Sequence, residues 1–321
     1  MEVMQEVENA PQTPQQVGAK LEELKKKLKE YIEDLKELTH YYEDEDFAPD
    51  DLPAALDDVS IKVSNADLPE SEQEVIQPLS DVLDEQVKLA LVHAKALGEA
   101  YNHNNVRSML MNAIELYVKL FEIGALVDYV NKYVNVEDYA EDLLEEFTQK
   151  ASSAIGILAK YIAEQGVELS EDDVETIHKR TLYYHDLAEN WDDVSDGLNE
   201  LEKELEDETE LKRGTYWAVE DALDLMWKYY KEGLPYGVGA EEIASGAYDD
   251  EEDTYKPEEL DIETLILNMT ETYAYFSAMR KLYNSIVSDY VTSDDFEDAV
   301  EDAIDRAKDV INIILSGYNN N

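Results

Sequence analysis

Two Glu-x-x-His pairs, Glu37 with His40 and Glu175 with His178, come closest in this chain to the spacing that metal chemistry needs. Residues three apart on a helix share a face. In carboxylate-bridged di-iron bundles two such pairs converge with a Glu from each of two further helices. Chance supplies most of the signal here: five histidines and 44 glutamates in 321 residues give about 0.7 such pairs at random. Neither pair projects clearly from an apolar face, so a helical di-metal carboxylate protein ranks third among the readings and no residue is assigned as a metal ligand.

Other chemistry is weaker still. The run Asp192 to Gly197 resembles a calcium loop only superficially, because Val194 stands at a ligand position and Lys203 stands where a bidentate Glu is required. The acidic run Asp249 to Asp253 reads as a solvated loop. The chain has no cysteine, which removes thiolate metal sites and thiol nucleophiles. It also lacks a glycine-rich phosphate loop, a Gly-x-Ser-x-Gly elbow and a His-Glu-x-x-His motif. The expectation is a non-enzyme, with no catalytic residue and no cofactor.

The charge is the stronger statement. Asp and Glu number 77 against 26 Lys and Arg, a formal net charge of −51, and the acids run through helical patterns rather than collecting in a tail. Such a charge repels itself in a compact state, and at molar salt the Debye length falls to about 3 Å, which makes it tolerable. Adaptation to high salt follows. Twenty-one Lys against five Arg favours a lower-GC halophile, or a virus of one, over an arginine-rich extreme halophile. A net charge of −51 repels nucleic acid everywhere but along the Lys20 to Lys36 face, and no nucleic-acid partner is expected. An acidic helical surface can instead imitate DNA and hold a basic protein, which is the second reading.

The elements that would carry these surfaces are all helical. Val106 to Val134 is apolar on nearly every face, broken by Glu115, Lys119 and Glu122, and reads as the central helix. Charges interrupt every window of about 20 residues that a membrane span would need. From Val17 to Tyr42 apolar residues repeat in heptads, flanked by Lys20, Lys25, Lys26, Lys27, Lys29 and Lys36, the densest basic cluster in the chain. A second seam runs from Tyr184 through Leu187, Trp191, Val194, Leu198 and Leu201 to Leu205, and pairing of 17–42 with 184–205 is expected. Ser170 with Asp173 reads as a helix start.

The fold expected is all-α, a bundle of about eight helices with a long coiled-coil-like antiparallel hairpin. In order, 1–12 is a mobile N-terminus, 13–43 a coiled-coil helix, and 44–79 an acidic proline-containing linker with an extended piece at 59–63. Then follow a central bundle over 80–232, a glycine-rich acidic loop at 233–257, a helical hairpin at 258–317 and a tail at 318–321. No signal peptide is recognisable, so cytoplasmic or virion-associated is expected. The leading functional expectation is a structural or interaction protein, part of a halophilic archaeal or viral assembly, that self-associates or binds a protein partner and gathers solvent cations. The six lysines, with Tyr229 and Tyr230, are its candidate interaction surface.

Overall fold

The computed structural model describes residues 14–40, 52–136, 138–190, 193–249 and 251–318. Their helices are α1 (Pro14–His40), α2 (Leu52–Ser64), α3 (Glu70–Ile76), α4 (Leu79–Asn102), α5 (Val106–Val130), α6 (Asp138–Gln165), α7 (Glu171–Asn190), α8 (Val194–Asp207), α9 (Arg213–Gly246), α10 (Ile262–Leu282) and α11 (Asp294–Gly317). The all-α expectation holds; β1 (Tyr248–Asp249) and β2 (Thr254–Tyr255) form only a two-residue antiparallel ladder. No helix among the described residues is long and apolar enough to cross a membrane. The expected termini at 1–12 and 319–321 lie outside the described residues. Tyr318, expected in a frayed tail, is buried instead and donates its backbone N–H to Ile314.

Helix α5 is surrounded, as its sequence requires, by α4, α6, α9 and α10. Asn105 caps it by accepting from the Ser108 N–H at 3.0 Å. Helix α10 is a second central helix, packed on α5, α6, α9 and α11. It hides its character by carrying Thr270, Thr272 and Ser277 into the core. Thr270 and Thr272 satisfy their hydroxyls on the carbonyls of Ile266 and Asn268, both at 2.8 Å. Ser170 and Asp173 form the expected reciprocal cap of α7, with the Ser170 hydroxyl and N–H both donating to Asp173.

Three expectations are corrected. Segment 44–79 is not a linker throughout, because α2 and α3 lie within it and Val59 to Val63 is helical. Its described prolines start helices: Pro53 is the second residue of α2, while Pro69 and Pro78 immediately precede α3 and α4, where a missing N–H costs nothing. Segment 233–257 is likewise helical as far as Gly246. Gly233 and Gly237 serve close helix packing rather than a turn, since a Cβ at Gly237 would meet the Tyr184 ring at 2.5 Å. The expected pairing of 17–42 with 184–205 gives way to other contacts. Helix α1 lies on α4 and α6, and the second seam is divided between α7 and α8, with α8 on α11 and α9. Heptad spacing satisfies ordinary ridge-and-groove packing equally well, so the seams found partners within the body. Helices α2 and α3, with the division of the second seam, raise the count from about eight to eleven α-helices among the described residues.

Candidate functional site

A cleft of about 590 Å³ opens between α5, α6, α9 and α10. Its α5 wall is Tyr117, Phe121, Gly124 and Asp128, successive positions on one helical face. Helix α6 supplies Glu141, Glu145, Thr148 and Ser152; α9 supplies Lys228, Tyr229 and Glu232; α10 supplies Tyr275. Gly124 leaves the middle of the α5 wall without a side chain, and a Cβ there would meet only Leu144 at 3.8 Å.

Phe121 is the hub of the aromatic lining. Its ring centre lies 4.7 Å from Tyr275, 5.8 Å from Tyr229 and 5.9 Å from Tyr117, at interplanar angles of 69°, 65° and 39°. Tyr236 stacks on Tyr275 at 5.8 Å. Rings at such separations and angles pack tilted or edge to face on one another. Two of the hydroxyls are committed: Tyr117 donates to both oxygens of Glu271, at 3.0 and 2.8 Å, and Tyr229 donates to Asp128 at 3.3 Å.

Negative charge dominates this cleft. Asp128, Glu141, Glu145 and Glu232 face one cation, Lys228, whose Nζ is 3.8 Å from Asp128 and 5.5 Å from the Tyr229 ring centre. Burial, followed by Glu271 and Asp128 respectively, drives the Tyr117 and Tyr229 hydroxyls well above their ordinary range. Burial likewise pushes Tyr275 up to about 12, with Tyr236, Glu232 and Glu271 adding to it. Burial raises Glu141 as well, and the neighbouring charges of Asp128 and Asp138 reinforce the shift. The cleft sets four carboxylates against one ammonium.

The residues singled out in the sequence fall in several places. Tyr229 lines the cleft, whereas Tyr230 points into the core, with its ring 6.3 Å from Phe276 and 5.9 Å from Trp227. The lysine face of α1 is partly used internally. Lys25 Nζ donates to Asn104 at 2.8 Å and lies 4.8 Å from the Tyr101 ring centre, with Lys36 at 5.6 Å from the same ring. Lys27 and Lys29 pair along their own helix with Glu23 and Glu33. Lys20 and Lys27 border a shallow groove against Lys160, Tyr161 and Glu164 of α6, and Lys26 is exposed.

Helix α1, which carries Glu37 and His40, lies on α4 and α6, and α7, which carries Glu175 and His178, lies on α9 and α11; the side chains of Glu37 and His40 lie outside the described residues. His178 accompanies His185 instead: they approach opposite oxygens of Glu241 at 3.5 and 3.7 Å, and His178 Nδ1 is 2.8 Å from the Tyr255 hydroxyl. Among the described residues no group of three His, Asp or Glu is placed to hold a metal ion. In the 249–253 run, Asp249 accepts from the N–H groups of Glu251 and Glu252 and pairs with Lys256.

In the sequence Tyr117 and Phe121 count among the apolar positions of a central helix and Asp128 among the charges that interrupt it. The i, i+4, i+7, i+11 spacing of Tyr117, Phe121, Gly124 and Asp128 was the available signal for a cleft wall. No protein-family model matches the chain, and neither a curated protein nor a solved structure matches it.

Proposed function

We propose that this is a non-enzymatic interaction protein adapted to high salt, acting within an assembly or on a partner, with the cleft between α5, α6, α9 and α10 as its recognition site. One observation carries the reading. Four carboxylates and four aromatic rings line a single cleft against one lysine, and the tyrosine hydroxyls that face carboxylates are already donated to them. The net charge of −51 supports the salt adaptation, because it demands screening wherever the chain is compact.

The partial internal use of the α1 lysines supports a partner drawn to acids over one drawn to bases. The test is light-scattering mass with affinity capture, both in molar KCl. A discrete oligomer or a stable complex is expected. A strict monomer that captures nothing contradicts the reading.

A further inference from the structure

We infer that the cleft binds a small organic ammonium ion, one whose nitrogen carries alkyl groups. The inference rests on the recognition reading above and names its ligand class. The walls and the rim divide the labour that such an ion needs. Tyr117, Phe121, Tyr229 and Tyr275, packed on one another around Phe121, line one side of the cleft with aromatic surface, against which a weakly hydrated, apolar-coated cation can rest its charge and its methyl groups. Asp128 and Glu232 supply the counter-charge at the mouth.

A bare metal cation asks for something else, namely several oxygens converging within about 2.6 Å. The described residues offer no such group. Size agrees as well: about 590 Å³ lies inside the range of about 300–1,000 Å³ typical of small-molecule sites and far exceeds what a single ion fills.

Lys228 shows the attraction at work. Its ammonium lies over the Tyr229 ring and beside Asp128, which is where the proposed ligand's charge would sit. The lysine therefore competes with the ligand, and shortening it vacates the place. That competition separates this account from one in which the cleft is merely a gap between helices.

The experiment is saturation-transfer NMR of the methyl protons of tetramethylammonium chloride, titrated against the full chain at constant total chloride with KCl as the balance. Saturable transfer is expected. Asp128→Asn and Tyr229→Leu should each weaken binding about fivefold, and Tyr229→Phe, which keeps the ring, should stay within about twofold. Lys228→Gln should strengthen it about threefold, by removing the resident ammonium. Asp128 is half exposed, so its variant reports even if Tyr229→Leu does not fold, which circular dichroism checks.

No saturable transfer, or transfer indifferent to all four substitutions, overturns the inference. So does binding of a lysine-rich peptide through the cleft with none of tetramethylammonium, which would assign the site to a basic protein. A discrete oligomer or complex in molar KCl with no ammonium binding would leave the recognition reading standing and remove only this ligand.

Discussion

The Tyr117 hydroxyl on α5 bridges both carboxylate oxygens of Glu271 on α10, at 3.0 and 2.8 Å, and two positions away the direction reverses: Tyr273 on α10 donates to Glu115 on α5 at 3.0 Å. The two central helices thus exchange Tyr–Glu bonds across an otherwise apolar contact. Removing a donor from such a pair leaves a buried carboxylate unsatisfied, at a cost of about 1–3 kcal/mol. Tyr117→Phe should therefore destabilise by about that amount in a denaturant melt, while leaving the helix content of the folded protein unchanged.

The Glu271 carboxyl also carries a pH signature. Burial raises it above its ordinary value of 4.5, and the Tyr117 bond only partly offsets that. A group whose folded value is raised lends stability that is complete below the unfolded value and is lost as pH rises through the folded one. Glu271→Gln keeps an acceptor for Tyr117 and cannot ionise. It should be more stable than the native chain at pH 7, and the advantage should vanish below about pH 4.5. An advantage independent of pH would contradict the assignment.

The tyrosines make a parallel case at the alkaline end. Burial raises the hydroxyls of Tyr129, Tyr184, Tyr183 and Tyr273 far above 10. Their contribution is complete below pH 10 and is lost as pH climbs from there, because the unfolded chain releases protons that the folded chain keeps. Tyrosinate absorbance should rise in two stages, with the second stage coinciding with loss of helix by circular dichroism. A single smooth titration with helicity intact would count against these burials.

Two glycine substitutions should move stability in opposite directions. Gly237 lies where α9 presses on α7, and Tyr184 there is fully buried with its hydroxyl on the Ala303 carbonyl. A Cβ would meet Tyr184 Cγ, Cδ1 and Cβ at 2.5, 2.7 and 2.8 Å, so Gly237→Ala should cost about 1–3 kcal/mol or more. Gly156 in α6 has nothing within 4 Å, and Gly156→Ala should gain up to about 1 kcal/mol through helix propensity alone. Thermal melts of the pair decide it.

Much of this architecture was legible in the chain, and what was hidden has physical causes. The α5 stretch announces itself because it is apolar around its circumference. Its three polar residues looked like a thin solvated stripe, yet Glu122 is buried and paired with Lys119 at 2.7 Å, and Glu115 receives Tyr273. The glycines and proline at 233–239 read as a loop because both residues are the usual punctuation of loops, yet α9 continues through them to Gly246. In this chain the glycines admit neighbouring helices, a role that only tertiary packing reveals. Helix α10 looked ordinary since its buried threonines and serine count as polar in any periodicity. The cleft was legible only in part: Tyr229 drew notice, but four helices had to converge before Phe121, Tyr275, Asp128 and Glu232 shared a space.

The most direct test of the central claim is helicity by circular dichroism, followed as KCl is raised from dilute buffer to molar concentration. A charge of −51 that exists for a salt-rich medium predicts that helicity is low or incomplete at low salt and rises to a plateau as screening lengths fall to about 3 Å. Full helicity in dilute buffer, unchanged by added salt, would contradict the claim.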